Sequence, residues 1–565
     1  MVSIFEHLKN SIHKALGEFG VTSEDIRLTY PEISAHGDVS TNVALLHAGA
    51  LGKKPQELAE LLKEKILGMN DPHIARIEVA GPGFINFYFS RAFYTELIER
   101  IAKEKDAYGK NEELAGKKIM VEYTDPNPFK EFHIGHLMSN AIGEALSRLL
   151  EFSGAEVKRA NYQGDVGLHV AKALYGMALL KDAMPSAEAP LSERAAFLGK
   201  AYAAGATVPE AGKENYEKGL RELNGKIYDK SDPAINRFYD TGRKWSIEYF
   251  ETIYKILGTH FDYYFFESES GPFGKKVVEE NIPSIFQESD SATIFRGEKY
   301  GLHTRVFVTS QGLPTYEAKE LGLAKLKYEK YPYDVSVVIT GNEVRDYFKV
   351  VYKAMEVVFP DLAKKTIHIP HGMLRLPSGK MSSRTGDVIT AEALIDEAKK
   401  LILEKMSGTD ITNKEETAED IAVGAIKYSI LKNAPGNDII FDFVASISFE
   451  GSSGPYLQYS YVRAKSVLEK AKTQGIVPSL AGTLPDAGGV ERVLAQFEDA
   501  VLRAREGNAP QYMATYLTEL ARAFNSFYAH EHIADSPYRL ALAEAVAVTL
   551  KNGLLLLGIR VPERM

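Results

Sequence analysis

Lys117 to Gly154 reads KKIMVEYTDPNPFKEFHIGHLMSNAIGEALSRLLEFSG, and the order of patterns within it decides the fold. Ile119-Met120-Val121 is a short apolar strand. Thr124-Asp125-Pro126-Asn127-Pro128 breaks it, because proline lacks an N–H and disfavours helix in the residue before it. From His136 the apolar residues fall in pairs four apart: Leu137/Met138, Ala141/Ile142, Ala145/Leu146 and Leu149/Leu150. That spacing predicts a buried helix, and Gly154 supplies its stop. Another strand candidate follows near Val157 to Tyr162. Strand, loop, helix and strand together are the first βαβ unit of a doubly wound α/β sheet.

Further strands are expected at Arg305 to Thr309 and at Val335 to Ile339. The stretch between the two halves, about 172–300, is mostly helical in pattern and reads as an insertion. Upstream, residues 1–115 mix helices and strands in an α+β domain. Pro55 opens an amphipathic helix carrying Leu58, Leu61, Leu62 and Ile66, and Gly81-Pro82-Gly83 turns into the alternating strand Phe84 to Phe89. A doubly wound domain then occupies 116–420. Residues 421–565 are almost wholly helical in period. Tyr456, Tyr459, Tyr461, Tyr512, Tyr516, Phe524, Phe527 and Tyr528 alternate there with Arg463, Lys465, Arg503 and Arg522. Most such aromatics belong to a bundle core. A few suit stacking on unpaired RNA bases.

At 565 residues the chain is long enough for three or four domains. Its 45% hydrophobic and 25% charged residues describe a soluble globular protein, with no uncharged apolar run long enough to cross a bilayer. The opening MVSIFEHLKNSIHKALGEFG carries Glu6, Lys9, Lys14 and Glu18 where a signal peptide needs apolar residues, so it reads as an amphipathic helix of a cytoplasmic protein. There is no cysteine, which excludes disulfides, iron–sulfur clusters and Cys-ligated zinc. A net charge of −9 is not that of a general nucleic-acid coat, but local basic patches suffice to grip one folded RNA.

Two motifs carry chemistry. His133-Ile134-Gly135-His136 lies at the start of the first helix, where backbone N–H groups and the helix dipole favour phosphate. Two imidazoles there can donate hydrogen bonds to an α-phosphate as it becomes pentacoordinate, and Gly135 lets a base approach the backbone. Lys380-Met381-Ser382-Ser383-Arg384, with Ser378-Gly379 before it and Gly386 after it, is a loop suited to hold β- and γ-phosphates while pyrophosphate leaves. The pairing of these motifs, in this order on opposite halves of one α/β domain, is far more specific than either alone.

VEYTDPNPFKEFHIGH (Val121 to His136), Gly164-Asp165 and LPTYEAKELG (Leu313 to Gly322) resemble the catalytic domain of the arginyl-tRNA synthetases, a family of class I aminoacyl-tRNA synthetases. SAHGDVSTNVAL (Ser34 to Leu45) and GPGFINFYF (Gly81 to Phe89) resemble that family's N-terminal tRNA-binding domain. GPYLQYSYVRA (Gly454 to Ala464) and the closing GIRVPERM resemble its helical anticodon-binding domain. The likeness covers nearly the whole chain, with the insertion weakly matched.

The resemblance implies a Rossmann-like catalytic domain and ATP-dependent ligation of L-arginine to its cognate tRNA. Arginyl-adenylate is the intermediate, AMP and pyrophosphate are released, and tRNA must be bound before arginine is activated. It also implies ATP with Mg2+ as the substrate complex. Beside it, the expectation is a monomer with no metal bound by the protein and, in a chain without cysteine, no zinc. The family's pocket positions fall on Glu122, Asn127, Tyr316 and Glu320; carboxylates in bidentate reach suit a guanidinium that cannot be neutralised. Adenine is expected against the backbone at Met373 and Leu374. Three positions depart from the family pattern. Glu320 stands where Asp is usual. A pocket glutamine is missing from Thr340-Gly341-Asn342-Glu343-Val344, where Asn342 or Glu343 could serve. Ser383 replaces a second lysine of the general class I loop, and the family passes its charge to a lysine just before the first motif, here Lys130. A synthetase for another polar amino acid fits the carboxylates poorly. An RNA-binding paralogue without activity would have no use for His133, His136 and Lys380 together.

Overall fold

A computed structural model describes residues 4–22, 25–208, 212–377, 389–408, 411–482 and 488–565. The chain divides into two compact units: residues 112–448 with 557–560, and residues 1–111 with 449–556 and 561–565.

The first of these is built on a five-stranded parallel sheet. Across the sheet the strands run Thr366–His371, Val335–Gly341, Lys118–Glu122, Glu156–Gln163 and Tyr263–Phe266. The chain starts in the centre, winds outward to one edge, then returns to fill the other side. The strand order therefore reverses between Lys118–Glu122 and Val335–Gly341, paired in the register Val335 with Ile119 and Val338 with Glu122. At such a switch point the connections diverge and leave a crevice beyond the carboxyl ends of the strands. Both faces of the sheet are covered, so buried residues run consecutively along Lys118–Glu122, Glu156–Gln163 and Val335–Gly341 rather than alternating. The helix Ile134–Phe152 is correspondingly buried on nearly every side, and Gly154, at φ +92°, ends it.

Two parts of the sequence reading change. Arg305–Val308 is a strand but lies outside the parallel sheet. It pairs antiparallel with Ala292–Phe295 in a three-stranded sheet completed by Gln287–Ser289, over Phe286, Phe295 and Phe307. The stretch 172–300 is not helical throughout. The helices Leu191–Ala206, Lys213–Asp229 and Pro233–Leu257 enclose a core around Trp245, but Tyr263–Phe266 is an edge strand of the central sheet. That strand is a run of four aromatics without alternation, bounded by helices, and gives no period to read.

Helices Glu267–Glu280 and Tyr316–Lys330 cross closely. A Cβ at Gly274 would meet Ala318 O at 1.8 Å, and one at Gly322 would meet Ser270 O at 2.1 Å. Only glycine allows that approach, and it brings Glu267 beside Lys319 at the end of the sheet.

The boundary expected at residue 421 falls inside the continuous helix Lys414–Leu431, which packs on Ile134–Phe152 and Ala391–Lys405 in this unit. Near the C-terminus, Leu557–Arg560 also belongs here. Lys427 Nζ donates to Leu257 O (2.6 Å) and Gly558 O (2.7 Å), and Arg560 pairs with Asp420 (3.0 Å).

In the second unit the N-terminal α+β segment and the C-terminal helices pack together. An antiparallel sheet in the order Leu28–Thr29, Val39–Thr41, Phe84–Phe89, Ile74–Ala80 carries helices Ile4–Gly17 and Pro55–Leu67. Arg492 pairs with Asp38 at 2.8 Å, and Arg91 reaches Glu491 and Tyr538. Tyr516 and Phe524 are buried in the bundle, whereas Tyr512 and Tyr528 are exposed. The Arg463 guanidinium lies between rings, 4.7 Å from that of Tyr459 and 4.9 Å from that of Tyr528. Among the described residues no helix is long and apolar enough to cross a membrane.

Candidate active site

A cavity of about 790 Å³ opens at the carboxyl ends of the central strands. Its floor is the loop after Lys118–Glu122, and that loop is strained. Thr124 (φ +79°), Asp125 (+45°) and Phe129 (+67°) all lie in the left-handed region, costly for a β-branched or aromatic residue. Buried polar contacts hold it. Thr124 N donates to Ser139 Oγ (2.9 Å), Asn140 Nδ2 to Thr124 Oγ1 (3.0 Å), Tyr162 N to Asp125 Oδ1 (2.7 Å) and Phe129 N to Ser246 Oγ (2.8 Å). The turn carries Asn127 over Gly164, where an added Cβ would meet Asn127 Oδ1 at 2.3 Å.

His133 and His136 stack at the start of the helix, ring centroids 3.6 Å apart and planes 19° from parallel. His133 N donates to His136 Nδ1 (3.2 Å), and Gly135 N donates to His133 Nδ1 (3.1 Å). An imidazole nitrogen that accepts cannot carry the proton, so each neutral ring bears its N–H on Nε2. Burial, and then the charge of Lys130, holds His133 below the ordinary histidine range; burial, and then His133 and Lys130, holds His136 well below it. Gly135 serves the geometry directly, since a Cβ there would meet His133 Cε1 at 2.9 Å. Lys130 is not in the cavity wall. Its ammonium lies over the Tyr202 ring, 5.1 Å from the centroid.

The pocket residues read from the sequence converge. Glu122, Asn127, Tyr316 and Glu320 all line the cavity, with Glu122 buried and Tyr316 57% exposed. Glu122 is not a free carboxylate, because Lys327 Nζ lies 2.6 Å from its Oε2 and 3.1 Å from Ser336 Oγ. Burial alone would lower the Lys327 pKa, but Glu122, with Tyr333 and Glu320, together outweigh it and the ammonium is held above its usual range. Glu320 and Asp125 are pushed well above the carboxylate range, by burial first and then by the charge of Glu122. Glu343 lines the cavity and Asn342 is absent from its wall.

The described residues on either side of the second motif line this cavity. Met373, Leu374, Arg375 and Leu376 line the wall before it, and Ile389 lines it after. Ile134 N donates to Ile389 O (3.1 Å) and Ala391 N to Phe132 O (2.8 Å), tying the chain beyond the second motif to the first. Lys380, Met381, Ser382 and Ser383 themselves lie outside the described residues. Met373 N donates to Asp438 Oδ1 (2.8 Å), and Met373 O and Arg375 O accept from Ile439 N and Phe441 N (2.8 Å each). This ladder uses alternate residues, so the Leu374 backbone faces away from it.

Sequence reasoning missed Glu267, Lys319, Lys327 and Tyr347. Glu267 and Tyr347 line the cavity. Lys319 Nζ lies 2.6 Å from Glu267 Oε2, both side chains about 5% exposed. The available signal was spacing: Tyr316, Lys319, Glu320 and Lys327 share one side of a helix.

A parallel doubly wound sheet with the histidine motif at its switch point, in a chain that carries the second motif further on, defines a class I aminoacyl-tRNA synthetase. Residues 98–443 match the family of tRNA synthetases class I (R), catalytic domain; 457–565 match the DALR anticodon binding domain, and 4–89 the arginyl tRNA synthetase N terminal domain. The chain is 33% identical to an arginine–tRNA ligase of Clostridium perfringens over 92% of each chain, and 30% identical to that of Halothermothrix orenii over the full length of both. It superposes on the arginyl-tRNA synthetase of Thermus thermophilus with a TM-score of 0.79 at 25% identity, over 99% of each chain. The chain belongs to the arginyl-tRNA synthetase family. Its activity is ATP-dependent ligation of L-arginine to its cognate tRNA through arginyl-adenylate.

Proposed function

We propose that the residues lining this cavity divide the reaction between them. Glu320, Asn127 and Tyr316 hold arginine. Glu320 faces the guanidinium, and arginine supplies the positive charge that its buried carboxyl lacks. Glu122 shapes the field of the pocket and shares its charge with Lys327. Glu343, rather than Asn342, completes the wall, since it reaches the cavity. Adenine takes the Leu374 backbone edge, with Met373 beside it. ATP enters as its magnesium complex.

In the first step an arginine carboxylate oxygen bonds to the α-phosphorus and the bond to the β-phosphate oxygen breaks. His133 and His136 donate from Nε2 to the α-phosphate as charge develops. Because both Nδ1 atoms are occupied by backbone N–H groups, no reorganisation is required at that moment. Lys130 and Lys380, with Met381, Ser382 and Ser383, take the departing pyrophosphate. In the second step a hydroxyl of the terminal tRNA ribose attacks the adenylate carbonyl and AMP leaves. The exposed Tyr528 ring, backed by the half-buried Arg463 and Tyr459, offers a face for an unpaired base. The chain acts in the cytoplasm as a monomer.

The stacked, backbone-fixed histidine pair in a wall shared with Glu320 is the observation that carries this reading. ATP–pyrophosphate exchange over a panel of amino acids, with and without tRNA, tests it. Exchange with arginine alone and only with tRNA supports it; exchange with another amino acid overturns the pocket assignment.

A further inference from the structure

The N-terminal segment carries a cluster that the reaction does not use. His7 comes from helix Ile4–Gly17, while Asp71 and His73 lie between helix Pro55–Leu67 and strand Ile74–Ala80. We propose that His7 Nε2, Asp71 and His73 Nδ1 form a binding site for one divalent transition-metal ion of the zinc type.

The carboxylate is fixed first. The Asp71 side chain is 9% exposed, His73 N donates to its Oδ1 at 2.9 Å, and its Oδ2 lies 2.5 Å from His7 Nε2. His73 Nε2 is 2.9 Å from Glu96 Oε2. With the proton of a neutral ring on Nε2 for that contact, His73 Nδ1 presents a lone pair 3.6 Å from Asp71 Oδ1. A lone pair facing a carboxylate oxygen is repulsive unless a proton or a metal ion lies between them, and a metal ion there leaves Nε2 free to keep its proton for Glu96. A carboxylate behind a histidine is also the outer contact that orients imidazole ligands at metal sites.

The spacing fits an ion. The ligand atoms lie within 4.8 Å of one another. Tetrahedral zinc with bonds of about 2.0–2.1 Å sets its ligands roughly 3.3 Å apart. His73 is already near that distance from Asp71. His7, whose side chain is 44% exposed, has to withdraw by less than about an ångström. The rings meet at 72° with centroids 6.1 Å apart, so their edges can converge without stacking. Two imidazoles and one carboxylate favour zinc, nickel or copper over magnesium and leave a fourth position for water. The exclusion of zinc from a cysteine-free chain concerns thiolate sites and does not reach this one. A bound ion would tie the first helix to residues 71–73, and through Glu96 to helix Arg91–Glu104, stabilising the folded state by mass action.

The test is calorimetric titration of EDTA-treated full-length protein with zinc chloride, followed by melts with zinc or EDTA. Wild type should take up one ion at this site and melt higher with zinc. His73→Ala and Asp71→Asn should lose that uptake and that rise, and Glu96→Gln should bind about ten- to a hundredfold more weakly. Glu96 is 63% exposed, so that variant keeps the test open if the others do not fold. No uptake by wild type, or uptake and melting shift unchanged in Glu96→Gln and in whichever ligand variants fold, would overturn the proposal.

Discussion

Lys327 Nζ lies 2.6 Å from Glu122 Oε2, and both side chains are under 5% exposed. The carboxylate at the carboxyl end of the central strand is thus neutralised from the helix that also carries Tyr316 and Glu320. Removing one partner of a buried pair strands the other charge, at a cost of about 3–5 kcal/mol, whereas replacing both with apolar or neutral groups is often close to neutral. Lys327→Met should lower the urea stability of the catalytic unit by that amount. Glu122→Gln/Lys327→Met should recover most of it while still impairing arginine activation. A single variant as stable as wild type would mean the pair is not desolvated.

The histidine pair has a pH signature. Both folded pKa values lie below the ordinary histidine value, so the unfolded chain binds these protons first. Their contribution to stability is full above about pH 6.5 and is lost as pH falls below it, by up to about 1.4 kcal/mol per pH unit for each proton. Between pH 8 and pH 5 wild type should therefore lose more stability than His136→Asn in parallel urea titrations. Curves that stay a constant distance apart would contradict the neutral pair.

Gly164→Ala places a Cβ 2.3 Å from Asn127 Oδ1 and 3.3 Å from Glu267 Oε1. Overpacking of this kind costs about 1–3 kcal/mol. Here it should also displace Asn127, raising the arginine KM at least several-fold while leaving the KM for ATP within about twofold, as read by pyrophosphate exchange.

Lys130→Ala should slow adenylate formation about a hundredfold or more, since one contact to developing charge is worth about 2.7–4 kcal/mol. Its present partner, the Tyr202 ring, is a weak hold from which an ammonium can turn to phosphate. Single-turnover quench of adenylate measures this, and a loss under threefold would remove Lys130 from the phosphate site.

What could be read from sequence was local. The strand at 119–121, the break at 124–128 and the helix ended by Gly154 follow from proline chemistry and a spacing of four, and the two histidines were placed by that helix start. What could not be read depends on partners distant in the chain. Tyr263–Phe266 is a strand only because Ala160 to Gln163 pairs with it. Lys319 and Lys327 look like solvated lysines until the close helix crossing and the central strand bury them against Glu267 and Glu122. The helix Lys414–Leu431 has little one-sided apolar character because it is enclosed on most sides, so its period marks no domain boundary.

Substrate holding by Glu320 and transition-state stabilisation by His136, as proposed, are separated by steady-state pyrophosphate exchange with tRNA present. Loss of a charged hydrogen bond of about 1.5–3 kcal/mol should raise the arginine KM of Glu320→Gln roughly ten- to a hundredfold with kcat little changed. His136→Asn should lower kcat about a hundredfold with the arginine KM within about threefold of wild type. An unchanged arginine KM in Glu320→Gln, or a loss in His136→Asn confined to KM, would contradict the division of the site.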